Sequence, residues 1–177
     1  MADLIARSDD DAGSTNVSRF LANRGAIVIR ESRSIGKLKG EHGDLVEAEA
    51  IVLSVVKGTK KERIFGVRLE RRDVHGDTDS AVYLDYDELE ELVAAIDFIS
   101  STAGQLSGQV RDYTEVTYST KDGAKFGFYH SSEGQLAFVG LSEHRASIFL
   151  QVKRLPSLRQ LLTDAQAHLR TCGASED

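Results

Sequence analysis

The chain carries one plan twice. Four strand-like segments lead into one amphipathic helical segment, and the same order then starts again. Each set alone is too short to enclose a generous core, so the two must pack together within the 177 residues. The fold class this implies is α+β: two ββββα units, with antiparallel meander sheets and two amphipathic helices.

The first set opens with "GAIVIRES" (25–32), a short β-branched strand. "RSIGKLKGEHGD" follows and reads as a loop because of Gly36, Gly40 and Gly43. "LVEAEAIVLSVV" (45–56) alternates at first, with Val46, Ala48, Ala50 and Val52 on one face. From Ile51 onward it is apolar on both faces, as a strand covered on two sides would be. After the turn "KGTKKE", the strand "RIFGVRLERR" puts Phe65, Val67 and Leu69 on one face and Arg68, Glu70 and Arg72 on the other. "SAVYLD" completes the set. The second set is "DYTEVTYST", "AKFGFYHS", "QLAFVGL" and "ASIFLQV", separated by short turns.

Residues 81–87 align with 147–153. The helices align after a three-residue insertion, which pairs Leu92 with Leu161 and makes both buried positions. A Phe-Gly dipeptide sits in a strand of each set, at Phe65–Gly66 and Phe126–Gly127. The expected divisions are a mobile segment over 1–18, a first half over 19–101, a linker over 102–111, a second half over 112–172 and a tail over 173–177.

"YLDYDELEELVAAIDFIS" packs five acids into seven positions, 85–91. Such density suggests a metal or acid–base site. Local structure accounts for it more simply. Leu89, Leu92, Val93, Ile96 and Ile99 have helical spacing. Asp85 with Glu88 forms a capping box, Leu84 with Leu89 a hydrophobic staple, and the remaining acids favour the positive end of the helix dipole.

No catalytic, cofactor or metal motif is present. The single cysteine, Cys172, excludes an internal disulfide and a multi-cysteine metal site, and reads as an incidental thiol on the last helical turn. The His-Gly-Asp triplets at His42 and His75 sit in ordinary turns. His130 and Ser131 are strand neighbours and point to opposite faces.

Charge is uneven. Residues 19–72 hold 13 Lys/Arg against 7 Asp/Glu, a local net of +6 within a chain of net charge −6. A basic face is an electrostatic footprint for phosphates. The candidate ligand-binding residues are therefore Lys60, Lys61, Arg63, Arg68 and Arg72. Arg68 and Arg72 share the solvent face of their strand, where Glu70 between them is positioned to neutralise the patch. The strands also carry Tyr113, Tyr118, Phe128 and Tyr129.

In the order of its elements, from residue 24 to 170, the chain resembles the Whirly and PUR-repeat group of single-strand nucleic-acid-binding proteins. That resemblance implies a sheet surface whose basic side chains hold phosphates and whose aromatic rings stack bases. The leading expectation is a non-enzymatic binding module for single-stranded nucleic acid, without a cofactor. The alternatives are a protein-interaction or self-association module, forming a homo-oligomer or taking a protein partner, and a small-ligand carrier or enzyme with a pocket between the sheets. No run of about 18 apolar residues offers a membrane span. The expected location is the cytoplasm.

Overall fold

The computed structural model describes residues 14–175. Two four-stranded antiparallel sheets form the frame. Sheet 1 is β1 (Ile27–Lys39), β2 (Leu45–Lys57), β3 (Lys60–Arg72) and β4 (Thr78–Asp85), in that spatial order. A 3-10 turn (Tyr86–Glu88) leads into helix α2 (Leu89–Leu106). Sheet 2 is β5 (Tyr113–Ser119), β6 (Lys125–Ser131), β7 (Gly134–Gly140) and β8 (Ile148–Leu150), again in order. A second 3-10 turn (Val152–Arg154) leads into helix α3 (Leu155–Thr171). A short helix α1 (Asn16–Leu21) precedes the first set. The α+β class with two ββββα units is therefore the observed architecture.

The helices are exchanged between the halves. Helix α3, from the second set, lies on β1, β2 and β3, whereas α2, from the first, lies on β5 and β6. The two helices also pack on each other. One core results: Val46, Ala48, Ala50, Val52, Val67 and Leu69 of sheet 1 join Phe126, Phe128, Ala137 and Val139 of sheet 2 through the helical stripes. The inner face of each sheet is covered by the long helix of the other set, which is why one set cannot enclose a core.

Both helices open directly after a 3-10 turn, and no insertion separates their sequences. Leu89, Leu92, Ile96, Ile99 and Ala103 correspond to Leu155, Leu158, Leu162, Ala165 and Leu169, and all are buried. Leu92 and Leu161 are both buried, but the structural counterpart of Leu92 is Leu158. The Phe-Gly dipeptides are not counterparts either, since Gly66 lies in the third strand of its sheet and Gly127 in the second.

Four boundaries differ from those expected. Strand β1 continues through the glycine-rich stretch to Lys39, paired along β2 with one irregularity between Ser34 and Gly36. Helix α2 runs to Leu106 and takes in the start of the expected linker. At the front, residues 1–13 of the expected mobile segment lie outside the described residues, but α1 begins at Asn16. At the other end, Ala174 is buried and its N–H bonds Leu169 O at 3.0 Å, whereas residues 176–177 lie outside the described residues. Among the described residues no helix is long and apolar enough to cross a membrane.

Helix α1 supplies the second cover that β2 requires. Val17, with Phe20 and Leu21, packs on Ile51 and Leu53 at the outer face of sheet 1. Gly66 permits this: a side chain there would collide with Val17 Cγ2 and the Leu84 carbonyl, both at 2.5 Å.

Candidate nucleic-acid interface

The acids at the start of α2 act as fasteners between segments. Glu88 is buried and accepts the Asp85 N–H at 2.9 Å, the reciprocal half of a capping box. Its other oxygen accepts the Lys121 N–H at 2.9 Å, from the β5–β6 turn of the other half. The Asp85 carboxylate takes the Asn16 and Val17 N–H groups of α1 at 2.8 and 3.0 Å. Asp122, beside Lys121, accepts the Tyr83 N–H of β4 at 2.8 Å. Lys121 Nζ lies 3.2 Å from Asp87. Burial pushes the Glu88 and Asp122 carboxyls above the ordinary carboxylate range, against the N–H groups that favour their charged forms. These carboxylates are satisfied by backbone donors, and among the described residues no cluster of metal-ligating side chains occurs.

The five candidate cations fall in three places. Arg68 and Arg72 share the outer face of sheet 1, as strand parity requires, and Glu70 between them is buried. Arg68 pairs with Glu70, and Arg72 reaches Glu70 at 2.8 Å and Glu47 at 2.7 Å. Arg30 and Glu49 continue the row at 2.8 Å. The result is a ladder of alternating charge across three strands, three Arg against three Glu. Lys60 and Lys61 stand at the β2–β3 hairpin, beside Lys57. These three cations form no ion pair with any described residue. Arg63 lies over the Phe65 ring, 5.1 Å from its centroid, and faces the C-terminal end of α3.

The outer face of sheet 2 is different. Tyr118 and Phe128 point inward to the core, whereas Tyr113 and Tyr129 point outward. Tyr113 is stacked on Tyr129, with ring centroids 6.3 Å apart and 19° between planes. Tyr129 meets Phe149 of β8 edge-on at 6.2 Å, and Phe149 meets His42 of the β1–β2 turn at 6.0 Å. Four rings thus cross the sheet and reach sheet 1, where the Glu41 N–H bonds Phe149 O at 2.8 Å. Exposed Lys37 and Lys39 lie just before that turn, and Lys125 rises from the same face of β6. Phe138 completes the face by lying across Gly127, where a side chain would meet its ring at 2.7 Å. The Tyr113 hydroxyl donates to Glu115, which raises the tyrosine pKa and lowers that of Glu115.

Sequence patterning does not single out His42 or Phe149 as interface residues. Alternation in "ASIFLQV" does mark Phe149 as outward, opposite in sense to Ile148 and Leu150. The chain matches no family model, no curated protein and no solved structure.

Proposed function

We propose that this protein binds single-stranded nucleic acid, with bases stacked on the outer face of sheet 2 and phosphates held by the lysines around it. The observation that carries this reading is the row Tyr113–Tyr129–Phe149–His42, open at Tyr113, which is 61% exposed. Aromatic platforms accept any base because every base has a π-face. Lys37, Lys39 and Lys125 border the row, and Lys57, Lys60 and Lys61 give a second cationic cluster at the far end of sheet 1. The tandem ββββα plan, which resembles the Whirly and PUR-repeat group, supports the same reading. Arg68 and Arg72 are held by Glu70 and contribute little to phosphate binding.

Fluorescence anisotropy with labelled single-stranded oligonucleotides tests this at low and moderate salt. Tyr113→Ala with Tyr129→Ala should weaken binding by roughly 1–3 kcal/mol per stacked base. Lys37→Ala with Lys39→Ala should flatten the salt dependence by roughly 0.7 for each phosphate no longer neutralised. No binding at low salt would remove the reading.

A self-association reading rests on a separate observation. Strand β1 is a 13-residue sheet edge, and its Ile27 and Ile29 are 65% and 47% exposed. Exposed apolar edges invite pairing with another chain. Sedimentation velocity decides it: a concentration-dependent dimer that disappears in Ile29→Lys favours this alternative.

A further inference from the structure

The C-terminal end of α3 holds a group of reactive side chains that nucleic-acid binding does not use. His168 and Cys172 stand one turn apart, with His168 Nε2 3.6 Å from Cys172 Sγ. Both line a cavity of about 270 Å3 between α3 and the inner face of sheet 1. Arg33 of β1 and Arg63 of β3 line it too, over an apolar floor of Ala50 and Val52. The Arg63 guanidinium reaches to the residue after the cysteine, with Nη1 placed to meet a side chain at Gly173 at 3.6 Å. An adjoining cavity of about 240 Å3 brings Asp164, one turn before His168, together with Arg33 and His168. The chain therefore presents a thiol, a base one turn away and two cations at one concave place.

Reactive cysteines sit in electropositive, partly exposed surroundings beside a base, whereas inert ones are sealed in apolar cores. Cys172 is half-buried, and its cavity opens beside two guanidiniums. Glu31 at the rim and the carbonyl end of α3 oppose the thiolate. Arg33 and Arg63 are placed to meet the charge of an incoming anion, whereas His168 is the base within reach of the thiol.

We propose that Cys172 is a nucleophilic thiol that exchanges with anionic low-molecular-weight disulfides. The Cys172 proton passes to His168 Nε2. Sγ attacks one sulfur of the disulfide, and a new S–S bond forms as the old one breaks. The electron pair of the broken bond leaves with the other half as a thiolate, which takes the proton back from His168. Cys172 is oxidised to a mixed disulfide and the released half is reduced. Arg33 and Arg63 hold the acidic groups of the incoming molecule.

The chain has one cysteine, so labelling reports this site alone. The full chain is mixed with 5,5′-dithiobis(2-nitrobenzoate), which is anionic, and with 4,4′-dithiodipyridine, which is neutral. Rates are followed by stopped flow across the pH range that spans His and Cys titration, with the denaturant-unfolded chain as reference. Near pH 6 the folded chain should react with the anionic reagent roughly tenfold faster than the unfolded chain. Arg33→Gln with Arg63→Gln should abolish the preference for the anionic reagent and leave the neutral rate largely intact. His168→Gln should slow both reagents. Intact-mass analysis after glutathione disulfide should show one glutathione adduct, absent in Cys172→Ser. If a variant fails to fold, as judged by circular dichroism, the wild-type comparison of folded and unfolded chains still decides. A folded chain that reacts no faster than the unfolded one, or an arginine double variant that slows both reagents equally, overturns the proposal.

Discussion

The two sheets share one plan but have opposite outer faces. That of sheet 1 is closed by α1 at Ile51 and Leu53 and by a charge ladder from Arg30 to Arg72. That of sheet 2 is covered by no helix among the described residues and displays rings from Tyr113 to Phe149. On sheet 1 Arg68 and Arg72, which attract attention in the sequence, already have carboxylate partners. On sheet 2 the rings meet one another, and the one carboxylate bonded to them is Glu115, at the Tyr113 hydroxyl. The difference teaches that residue type alone is a poor guide to a surface, because strand parity and cross-strand neighbours decide which side chains remain available.

The largest expected effect tests what the two halves share. Leu92→Ala and Leu158→Ala should each cost about 2–5 kcal/mol, since both positions are fully enclosed in the common core. Chemical denaturation should show one transition in either variant. Two separate transitions would mean that the halves are independent and the comparison is misplaced.

The ladder comes next. Arg68→Ala with Arg72→Ala leaves the buried Glu70 carboxylate with Thr78 as its remaining side-chain partner, and should cost about 3 kcal/mol. Oligonucleotide affinity should change little. A large drop in affinity at unchanged stability would move the interface to sheet 1. Asp85→Ala should cost about 2 kcal/mol, because two backbone N–H groups of α1 lose their acceptor. Hydrogen exchange should quicken in α1 and at Ile51–Leu53 more than in sheet 2. On the aromatic face the pattern reverses: Tyr113→Ala with Tyr129→Ala should cost about 1–3 kcal/mol of stability by thermal melting, for the two ring pairs removed, while affinity falls.

The smallest effect is a pH dependence where the halves meet. Burial raises the Asp122 pKa, so the folded state favours its protonated form. That contribution is complete below the unfolded pKa and is lost as pH rises through the raised folded value. Asp122→Asn does not ionise and keeps an oxygen for the Tyr83 N–H. Its stability relative to the native chain should therefore climb between about pH 4 and 7. Denaturant melts at the two ends of that range check this, and a flat or falling difference would contradict it.

Much of the frame was legible because periodicity reports which face is buried. The two-sided apolar run of β2 foretold two covers, and α3 and α1 are those covers. Leu84, Asp85, Glu88 and Leu89 announced the start of α2. Other features lie outside any local pattern. Gly36 looked like a turn, but it lies within β1 against Leu161 Cδ1, which a side chain would approach to 3.1 Å. Polar neighbours hid α1, although Val17, Phe20 and Leu21 carried its apolar face. The partners of Asp85 and Glu88 come from 68 and 33 residues away, which no local rule could supply. Of the interface, alternation separated Tyr113 from Tyr118, but only the meeting of sheet 2 with the β1–β2 turn brings His42 to Phe149. His168 and Cys172 showed helical spacing in plain view, whereas Arg33 and Arg63 reach them only through the exchanged helix.

The helix exchange also bears on synthesis. Sheet 1 is complete once β4 has left the ribosome, but the helix that covers its inner face is made only after α2 and the whole of sheet 2. At roughly 5–20 residues per second, the stretch from β4 to the end of α3 takes on the order of ten seconds to elongate. During that interval Val46, Ala48, Val67 and Leu69 lack their native cover. The inner face of sheet 1 is therefore without its native cover in the nascent chain until α3 emerges.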